Sequence, residues 1–187
     1  MNKSFHLVSL GCPKNLVDSE VIYGLLEQAG WQGVDEPGKA RVLLINTCGF
    51  IQPAVEESIE EILDLAQEKK GDPHKKLVVV GCLVQRYREK IESELTEVDL
   101  FVGTEGVPRI PGILDALIGN EQQGRLTIPC TFLMDASFPR RLSTPFFRAW
   151  LKITEGCDNR CSYCMIPSIR GRLRSRTEED LIIEAVN

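Results

Sequence analysis

The sequence lacks any uninterrupted apolar run near the roughly 18 residues that are needed to span a bilayer. Its first residues, MNKSFHLVSLGCPKN, lack the long apolar stretch and the small-residue cleavage site of a secretory signal. A GxGxxG pattern and a Walker motif are both missing, so no phosphate-binding loop of those types is predicted. We therefore expect a cytoplasmic protein with no membrane segment.

Histidine is also scarce, whereas cysteine is plentiful and odd in number. The chain of 187 residues has two histidines and seven cysteines. An odd set does not suit a secreted disulfide framework, and in a reducing compartment cysteines at regular spacings more often bind metal or perform chemistry. The hydrophobic fraction of 43% and the charged fraction of 26% are typical of a globular protein with a buried core.

Short apolar runs alternate with helical patterns over the first 120 residues. This alternation predicts a parallel sheet flanked by helices. Strands are predicted at residues 5–9, 42–46, 77–80 and 100–102, and helices at 17–29, 55–66, 86–97 and 110–118. Right-handed crossovers between successive strands favour the α/β class, with an open doubly wound parallel sheet.

The periodicity weakens after this region, where glycine and proline recur. We interpret residues 1–120 as an N-terminal domain and residues 121–145 as a linker with room for one short strand. Residues 147–154 (FRAWLKIT) predict a further strand, which a cysteine loop and a helix starting at TEEDLIIEAV follow. Residues 146–187 would then be the first β/α unit of a second domain.

Positive charge is concentrated in the later part of the chain. Residues 140–176 contain nine Lys or Arg and two acids, a net charge of +7, so the remainder carries −12 to give the overall −5. Such asymmetry predicts contact with an anion, such as a phosphate-bearing cofactor, a carboxylate or a nucleic acid. The alternative is a solvated basic face.

Three cysteines lie within eight positions, in the pattern Cys157-x-x-x-Cys161-x-x-Cys164. Three ligands suit a cubane iron-sulfur cluster that keeps one iron free. A structural zinc site usually has four protein ligands, and the 23 residues that follow contain no further Cys or His. The spacing, with Tyr163 before the last cysteine, resembles the cluster loop of the radical S-adenosylmethionine superfamily.

Three other cysteines, Cys12, Cys48 and Cys82, each follow a predicted parallel strand. The carboxyl ends of parallel strands meet at one edge of an open α/β sheet, where ligands bind. We therefore expect these thiols to converge as a second ligand set, although a lone buried cysteine is often just a small apolar residue. Cys130 has no partner at a recognised spacing, and His6 and His74 have no metal-ligand context.

Four motifs in order, SLGCPKNLVDSE, INTCGFI, VVGCLVQRY and ITEGCDNRCSYCMIPSIRGRLRSR, resemble those of the methylthiotransferase family. The resemblance implies an N-terminal domain with an auxiliary 4Fe-4S cluster, followed by a radical S-adenosylmethionine partial barrel and a small closing domain. It assigns Cys12, Cys48 and Cys82 to the auxiliary cluster. It assigns Cys157, Cys161 and Cys164 to the radical-generating cluster, where S-adenosyl-L-methionine binds the open iron. No catalytic side chain is assigned.

The runs Cys12-Pro13-Lys14-Asn15 and Pro167-Ser168-Ile169-Arg170-Gly171-Arg172 resemble the branch that acts on an aspartate of small-subunit ribosomal protein number twelve. That branch implies a ribosomal protein substrate and an electron donor such as flavodoxin or ferredoxin. We do not expect this chain to bind nucleic acid directly. Such binding uses Lys and Arg to neutralise phosphates, and the N-terminal part of the chain is acidic.

Only about 40 residues follow the linker, whereas six β/α units of a partial barrel need roughly 190. We therefore expect a truncated radical-SAM domain, with no turnover by this chain alone. Three alternatives stay open at this point: an enzyme that modifies a transfer RNA adenosine, an iron-sulfur electron carrier and a zinc-binding module.

Overall fold

The computed structural model describes residues 3–121, 126–127 and 132–186, and it has one large sheet. Six strands pair in parallel in the spatial order β2-β1-β3-β4-β5-β6. They are β1 (Ser4–Ser9), β2 (Gln32–Gly33), β3 (Val42–Thr47), β4 (Lys76–Gly81), β5 (Leu100–Val102) and β6 (Leu126–Thr127). The four predicted strands are confirmed. Of the two edge strands, β6 is the short strand that the linker had room for, whereas β2 was not predicted; each has two residues, too few to show a periodic pattern.

Helices cover both faces of the sheet, so the doubly wound architecture is confirmed. They are α1 (Pro13–Gln28), α2 (Gln52–Lys69), α3 (Cys82–Tyr87), α4 (Glu89–Glu94) and α5 (Ile110–Ile118), with 3-10 turns at Pro37–Lys39 and Thr104–Arg109. The single helix predicted at 86–97 is wrong: Arg88 has φ of 46°, and this left-handed residue separates α3 from α4. Over the described residues, no helix combines the length and the apolarity that crossing a membrane requires.

The central strands are buried on both sides, which explains their continuous apolar sequences. Alternate residues of β3, such as Leu44 and Leu43, face opposite helix layers. Leu44 packs with α1 and α5, whereas Leu43 packs with α2, α3 and α4. All six residues of β3 are buried. The Cys48 turn therefore leaves the sheet from a fully packed strand.

The later part of the chain has little regular structure. Its elements are β7 (Thr154–Glu155), α6 (Ile166–Arg170), β8 (Arg174–Ser175) and α7 (Glu178–Val186). The predicted helix at TEEDLIIEAV is confirmed. The predicted strand at 147–154 is wrong over most of its length, because only Thr154 in that range pairs, antiparallel with β8. Among the described residues, none pairs with 147–153 as a neighbouring strand.

The described part of the predicted linker is packed against α1 rather than free. Phe138 packs on the core layer beside α1, and the amide of Arg141 donates to the Glu20 carbonyl at 3.1 Å. A Cβ at Gly24 would lie 2.6 Å from the Pro139 carbonyl oxygen, so this glycine allows close contact between the two backbones. The boundaries at 120 and 145 stay a prediction, and Cys130 lies outside the described residues.

The basic segment meets anions within this chain. Six of its nine cations form ion pairs with carboxylates, and several of those carboxylates lie on α1. The pairs are Arg140 with Glu20 and Glu184, Arg141 with Glu27, Lys152 with Asp18 and Glu155, Arg170 with Asp18 and Glu155, Arg174 with Glu105, and Arg176 with Asp180 and Glu184. Ion pairs between the basic segment and carboxylates elsewhere in the chain thus hold the two parts of the chain together.

Substitution of Gly81 by alanine should destabilise the fold at the end of β4. Gly81 has φ of +104°, and a Cβ there would lie 2.4 Å from Asn46 Oδ1 and 2.7 Å from the Thr47 carbonyl oxygen. We expect Gly81→Ala to lower the free energy of unfolding by about 2 kcal/mol or more, measured by urea titration. Gly38→Ala is the control, because nothing lies within 4 Å of its added Cβ. Equal effects of the two substitutions would contradict this account.

Candidate functional site

Three cysteines converge at the carboxyl edge of the sheet, as the sequence predicts. Cys12 lies three residues beyond β1 at the start of α1, Cys48 directly follows β3, and Cys82 directly follows β4. Strands β1, β3 and β4 are neighbours in the sheet. The three residues, named here the strand-end cysteines, line a single cavity of about 500 Å³.

The backbone at Gly11 closely approaches the Cys48 side chain, which brings the first and second cysteine turns together. Gly11 has φ of +90°, and a Cβ there would lie 2.6 Å from Cys48 Cβ and 3.1 Å from Cys48 Sγ. Any larger residue at this position would push the first turn away from the second, besides straining the backbone. The cysteine turns therefore depend on glycine for their mutual approach.

Asn15 links all three turns from the first turn of α1. It is completely buried, and its Nδ2 donates to the Leu10 carbonyl at 3.1 Å and to the Thr47 carbonyl at 2.8 Å. Its Oδ1 lies 3.5 Å from Cys82 Sγ, in position to accept a weak hydrogen bond from the thiol. One amide thus connects the backbone before Cys12, the backbone before Cys48 and the Cys82 side chain.

The cavity has mostly apolar walls. Phe50 and Ile51 line it from the turn before α2, Ala54 from the first turn of α2, and Ile166 and Ile169 from α6. Cys48 and Cys82 are each 7% exposed, whereas Cys12 is exposed. The arrangement offers two sheltered thiols and one accessible thiol around a space with few competing polar groups.

Arg170 reaches this cavity from α6 and contacts Cys82 directly. Its Nε lies 3.3 Å and its Nη2 lies 3.1 Å from Cys82 Sγ, and both donate to the sulfur. Nη2 also donates to Asn15 Oδ1 at 2.6 Å. The guanidinium is therefore held in one orientation, with one edge toward the thiol.

The charge of Arg170 is balanced in a buried group of four ions. Its Nη1 donates to Asp18 Oδ2 at 2.7 Å and to Glu155 Oε2 at 3.0 Å. Lys152 Nζ lies 2.6 Å from Asp18 Oδ1 and 2.6 Å from Glu155 Oε2. The four side chains are each at most 7% exposed, so two cations and two carboxylates neutralise each other out of contact with water.

Burial and charge together set the protonation of this region. Burial raises the pKa of the Cys82 thiol to about 11, although the positive charge of Arg170 opposes the rise. Burial also acts to raise the pKa of Glu155, but Arg170 and Lys152 outweigh it and lower that pKa to about 2. Burial acts to lower the pKa of Lys152, and the charges of Asp18 and Glu155 overcome it to raise that pKa. The carboxylate and the ammonium are both charged at neutral pH.

The other three cysteines, named here the loop cysteines, lie between β7 and α6. They are Cys157, Cys161 and Cys164; Cys161 is exposed and the other two are partly buried. The loop is tied at its base, because the Cys157 amide donates to the Gly171 carbonyl at 3.1 Å. Gly156, the neighbour of Cys157, lines the same cavity as the strand-end cysteines. The two cysteine sets are thus adjacent.

The strand-end cysteines fit an inorganic iron-sulfur cluster by their donors and their space. They present three thiols to a cavity that is lined by apolar side chains and approached closely by glycine backbone. No group of three or more His, Cys, Asp or Glu among residues 3–121, 126–127 and 132–186 is arranged to hold a metal ion. In a cubane each cysteine binds its own iron, so its ligands surround a volume instead of one point. The loop cysteines supply the same donor chemistry on a partly exposed loop.

Two residues that contact the strand-end cysteines were missed as site residues by sequence reasoning. Asn15 and Arg170 both fall inside motifs that carry the family resemblance, Cys-Pro-Lys-Asn and Pro-Ser-Ile-Arg-Gly-Arg. Their presence in those motifs was the available signal, but 155 positions separate them, so their contact could not be inferred. The histidines have no part in the site: His6 contacts the Val34 carbonyl and His74 is exposed.

Comparison with known proteins shows the family to which the chain belongs. Residues 4–103 match the uncharacterized protein family UPF0004, and the chain belongs to that family. Curated relatives include the ribosomal protein uS12 methylthiotransferase RimO of Desulfotalea psychrophila, 63% identical over 96% of this chain and 40% of the relative. The RimO of Syntrophus aciditrophicus is 54% identical over 97% of this chain and 41% of the relative. The chain therefore spans about 40% of the length of these proteins.

A solved structure also resembles this fold. It is the radical S-adenosylmethionine methyltransferase TsrM from Kitasatospora setae, solved with a tryptophan substrate and a SAM analog. The TM-score is 0.66 at 14% identity, and the match covers 98% of this chain and 45% of that chain. At this identity the likeness shows a shared fold.

Removal of one cation from the buried ion group should destabilise the chain strongly. We expect Lys152→Met to lower the free energy of unfolding by about 3 kcal/mol, because it leaves two buried carboxylates with one buried cation, Arg170, and the half-exposed Lys14 at 3.7 Å from Glu155. The measurement is urea unfolding followed by circular dichroism. Lys39→Met is the matched control, since its pair with Glu36 is 66% and 67% exposed and should contribute less than about 1 kcal/mol. A small effect of Lys152→Met would mean that the ion group is solvated.

Proposed function

We propose that this chain is the amino-terminal part of a radical S-adenosylmethionine methylthiotransferase. The observation that carries the proposal is the convergence of the strand-end cysteines on one cavity, with the loop cysteines beside it. The identity of 63% to a ribosomal protein uS12 methylthiotransferase supports it. An electron carrier would more naturally close each cluster with four cysteines, whereas two sets of three leave an iron open at each site.

In this proposal each cysteine set holds one 4Fe-4S cluster. The strand-end cysteines would hold the auxiliary cluster, and the loop cysteines would hold the cluster at which S-adenosyl-L-methionine binds. When bound, these groups supply radical chemistry and a site for the sulfur that is inserted. The residues 1–120 would form the auxiliary domain, 121–145 a connection, and 146–187 the start of a radical-SAM domain.

The chain's own residues would position and shelter these groups. Asn15 fixes the turns that carry the thiols. Phe50, Ile51, Ile166 and Ile169 give the cavity apolar walls, which would limit the contact of reactive sulfur with water. The apolar walls also lower the local dielectric, so that each polar contact to a sulfur is stronger than it would be in water.

The proposed substrate is an aspartate of ribosomal protein uS12, which receives a methylthio group at its β-carbon. Support comes from the relatives named as uS12 methylthiotransferases and from the overall net charge of −5, which remains after the basic segment has paired with acids of the same chain. An acidic surface favours a basic ribosomal protein over RNA, whose binding depends on phosphate neutralisation. A ribosomal substrate would place the enzyme in the cytoplasm, with a reductant such as flavodoxin or ferredoxin as its electron donor.

Iron analysis of cysteine variants tests the two-cluster proposal. After anaerobic reconstitution the chain should bind about eight irons, and alanine at Cys157, Cys161 and Cys164 should remove roughly four of them. Alanine at Cys12, Cys48 and Cys82 should remove the other four. Electron paramagnetic resonance of each triple variant should show the one cluster that remains.

The control for these variants is Cys130→Ala, which removes the seventh thiol and should leave iron and sulfide unchanged. Loss of all iron from either triple variant would indicate one shared site and refute the two-cluster proposal. A colourless protein with bound zinc after anaerobic preparation would establish a zinc module instead.

Mass spectrometry of ribosomal protein uS12 tests the substrate. Cells with the full-length gene should show a methylthio addition on one aspartate, and cells without the gene should not. A gene that carries alanine at Cys157, Cys161 and Cys164 should behave like the deletion, because no radical can form. An unmodified uS12 together with a methylthiolated transfer RNA adenosine would overturn the substrate and retain the two-cluster chemistry.

A further inference from the structure

Arg170 connects the two cysteine sets. It lies on α6, six residues beyond Cys164, yet its guanidinium donates two hydrogen bonds to the sulfur of Cys82, 88 positions earlier in the chain. Other cations of the basic segment, such as Arg140, Lys152 and Arg174, donate to carboxylates and backbone carbonyls instead.

The position of Arg170 is determined by its other contacts. Nη1 is held by Asp18 and Glu155, and Nη2 is shared between Asn15 Oδ1 and Cys82 Sγ. The Arg170 side chain is 5% exposed, so water does not compete for these donors. The carboxylates therefore fix a charged donor against the sulfur, and rotation of the guanidinium away from Cys82 would break several buried hydrogen bonds.

We propose that Arg170 is a positioning residue that holds the Cys82 sulfur and sets the reduction potential of the cluster bound by the strand-end cysteines. This inference rests on the proposed function. Hydrogen bonds to ligand sulfurs raise the potential of an iron-sulfur cluster, because they stabilise the additional negative charge of the reduced state. The segment that carries the loop cysteines would thus tune the other site.

Arginine suits this role better than lysine, because one edge of the planar guanidinium donates two hydrogen bonds to the sulfur while Nη1 binds the carboxylates. Arg170→Lys keeps one positive charge for Asp18 and Glu155 but loses the fork. The double substitution Asp18→Asn with Arg170→Met removes one charge of each sign, so the buried group stays neutral. These two variants separate loss of the sulfur contact from an uncompensated buried charge.

The test is a redox titration of the full-length protein in which alanine replaces Cys157, Cys161 and Cys164. In that background the electron paramagnetic resonance signal reports only the cluster of the strand-end cysteines. We expect Arg170→Lys and the double variant to bind about four irons and to show midpoint potentials shifted to more negative values, with an altered signal shape. A loss of the cluster from both variants, with native circular dichroism, would also support the inference.

Arg140→Lys is the matched control, because it also replaces a guanidinium while keeping the positive charge. Arg140 likewise joins an α1 carboxylate, Glu20, to the later segment through Glu184, and its side chain is 11% exposed, but it contacts no cysteine. The midpoint potential of the Arg140 variant should equal that of the parent protein. Equal potentials in the parent and both Arg170 variants, or the same shift in Arg140→Lys, would overturn the inference and leave the two-cluster proposal intact. A parent without iron would overturn both.

Discussion

Two carboxylates and two cations are buried together where α1 meets the segment that follows the sheet domain. None of them could be buried alone, because an isolated charge in an apolar interior is very costly. Asp18 comes from α1, whereas Lys152, Glu155 and Arg170 come from the later segment. Charge balance is therefore reached only when both parts of the chain are in place. The four-ion contact therefore restricts the orientation of the later segment on α1 more than apolar contact would.

The cysteine cavity depends on that docking. Its floor is made by the ends of three parallel strands, but α6 supplies one wall through Ile166 and Ile169, and Arg170 on the same helix contacts Cys82. The burial of Cys82, and with it the raised pKa of its thiol, reflects this covering. A change in the ion group would therefore reach the cysteines through the position of α6, without any direct contact of Lys152 with a thiol.

The sheet and the later segment differ in how their apolar residues are used. In β3 and β4 apolar side chains are buried by helices on both faces, so pattern and structure agree. Residues 147–153 have a similar apolar pattern, yet Trp150, Leu151 and Ile153 are 41%, 41% and 53% exposed. Strand formation needs a hydrogen-bonded neighbour, and the pattern of one segment does not say whether that neighbour is present.

The sequence by itself determined the α/β class, four of the six sheet strands and the strand-end position of Cys12, Cys48 and Cys82, because strand periodicity and the shared carboxyl edge are local or topological properties. The spacing of the loop cysteines was equally local. Only the tertiary structure decided that Asn15 and Arg170 meet at Cys82, since that contact depends on how α6 packs across the sheet edge. The tertiary structure also decided which carboxylates pair with the basic segment. The excess of positive charge was visible in the sequence, but the partners on α1 are more than 100 positions away and become neighbours only through packing.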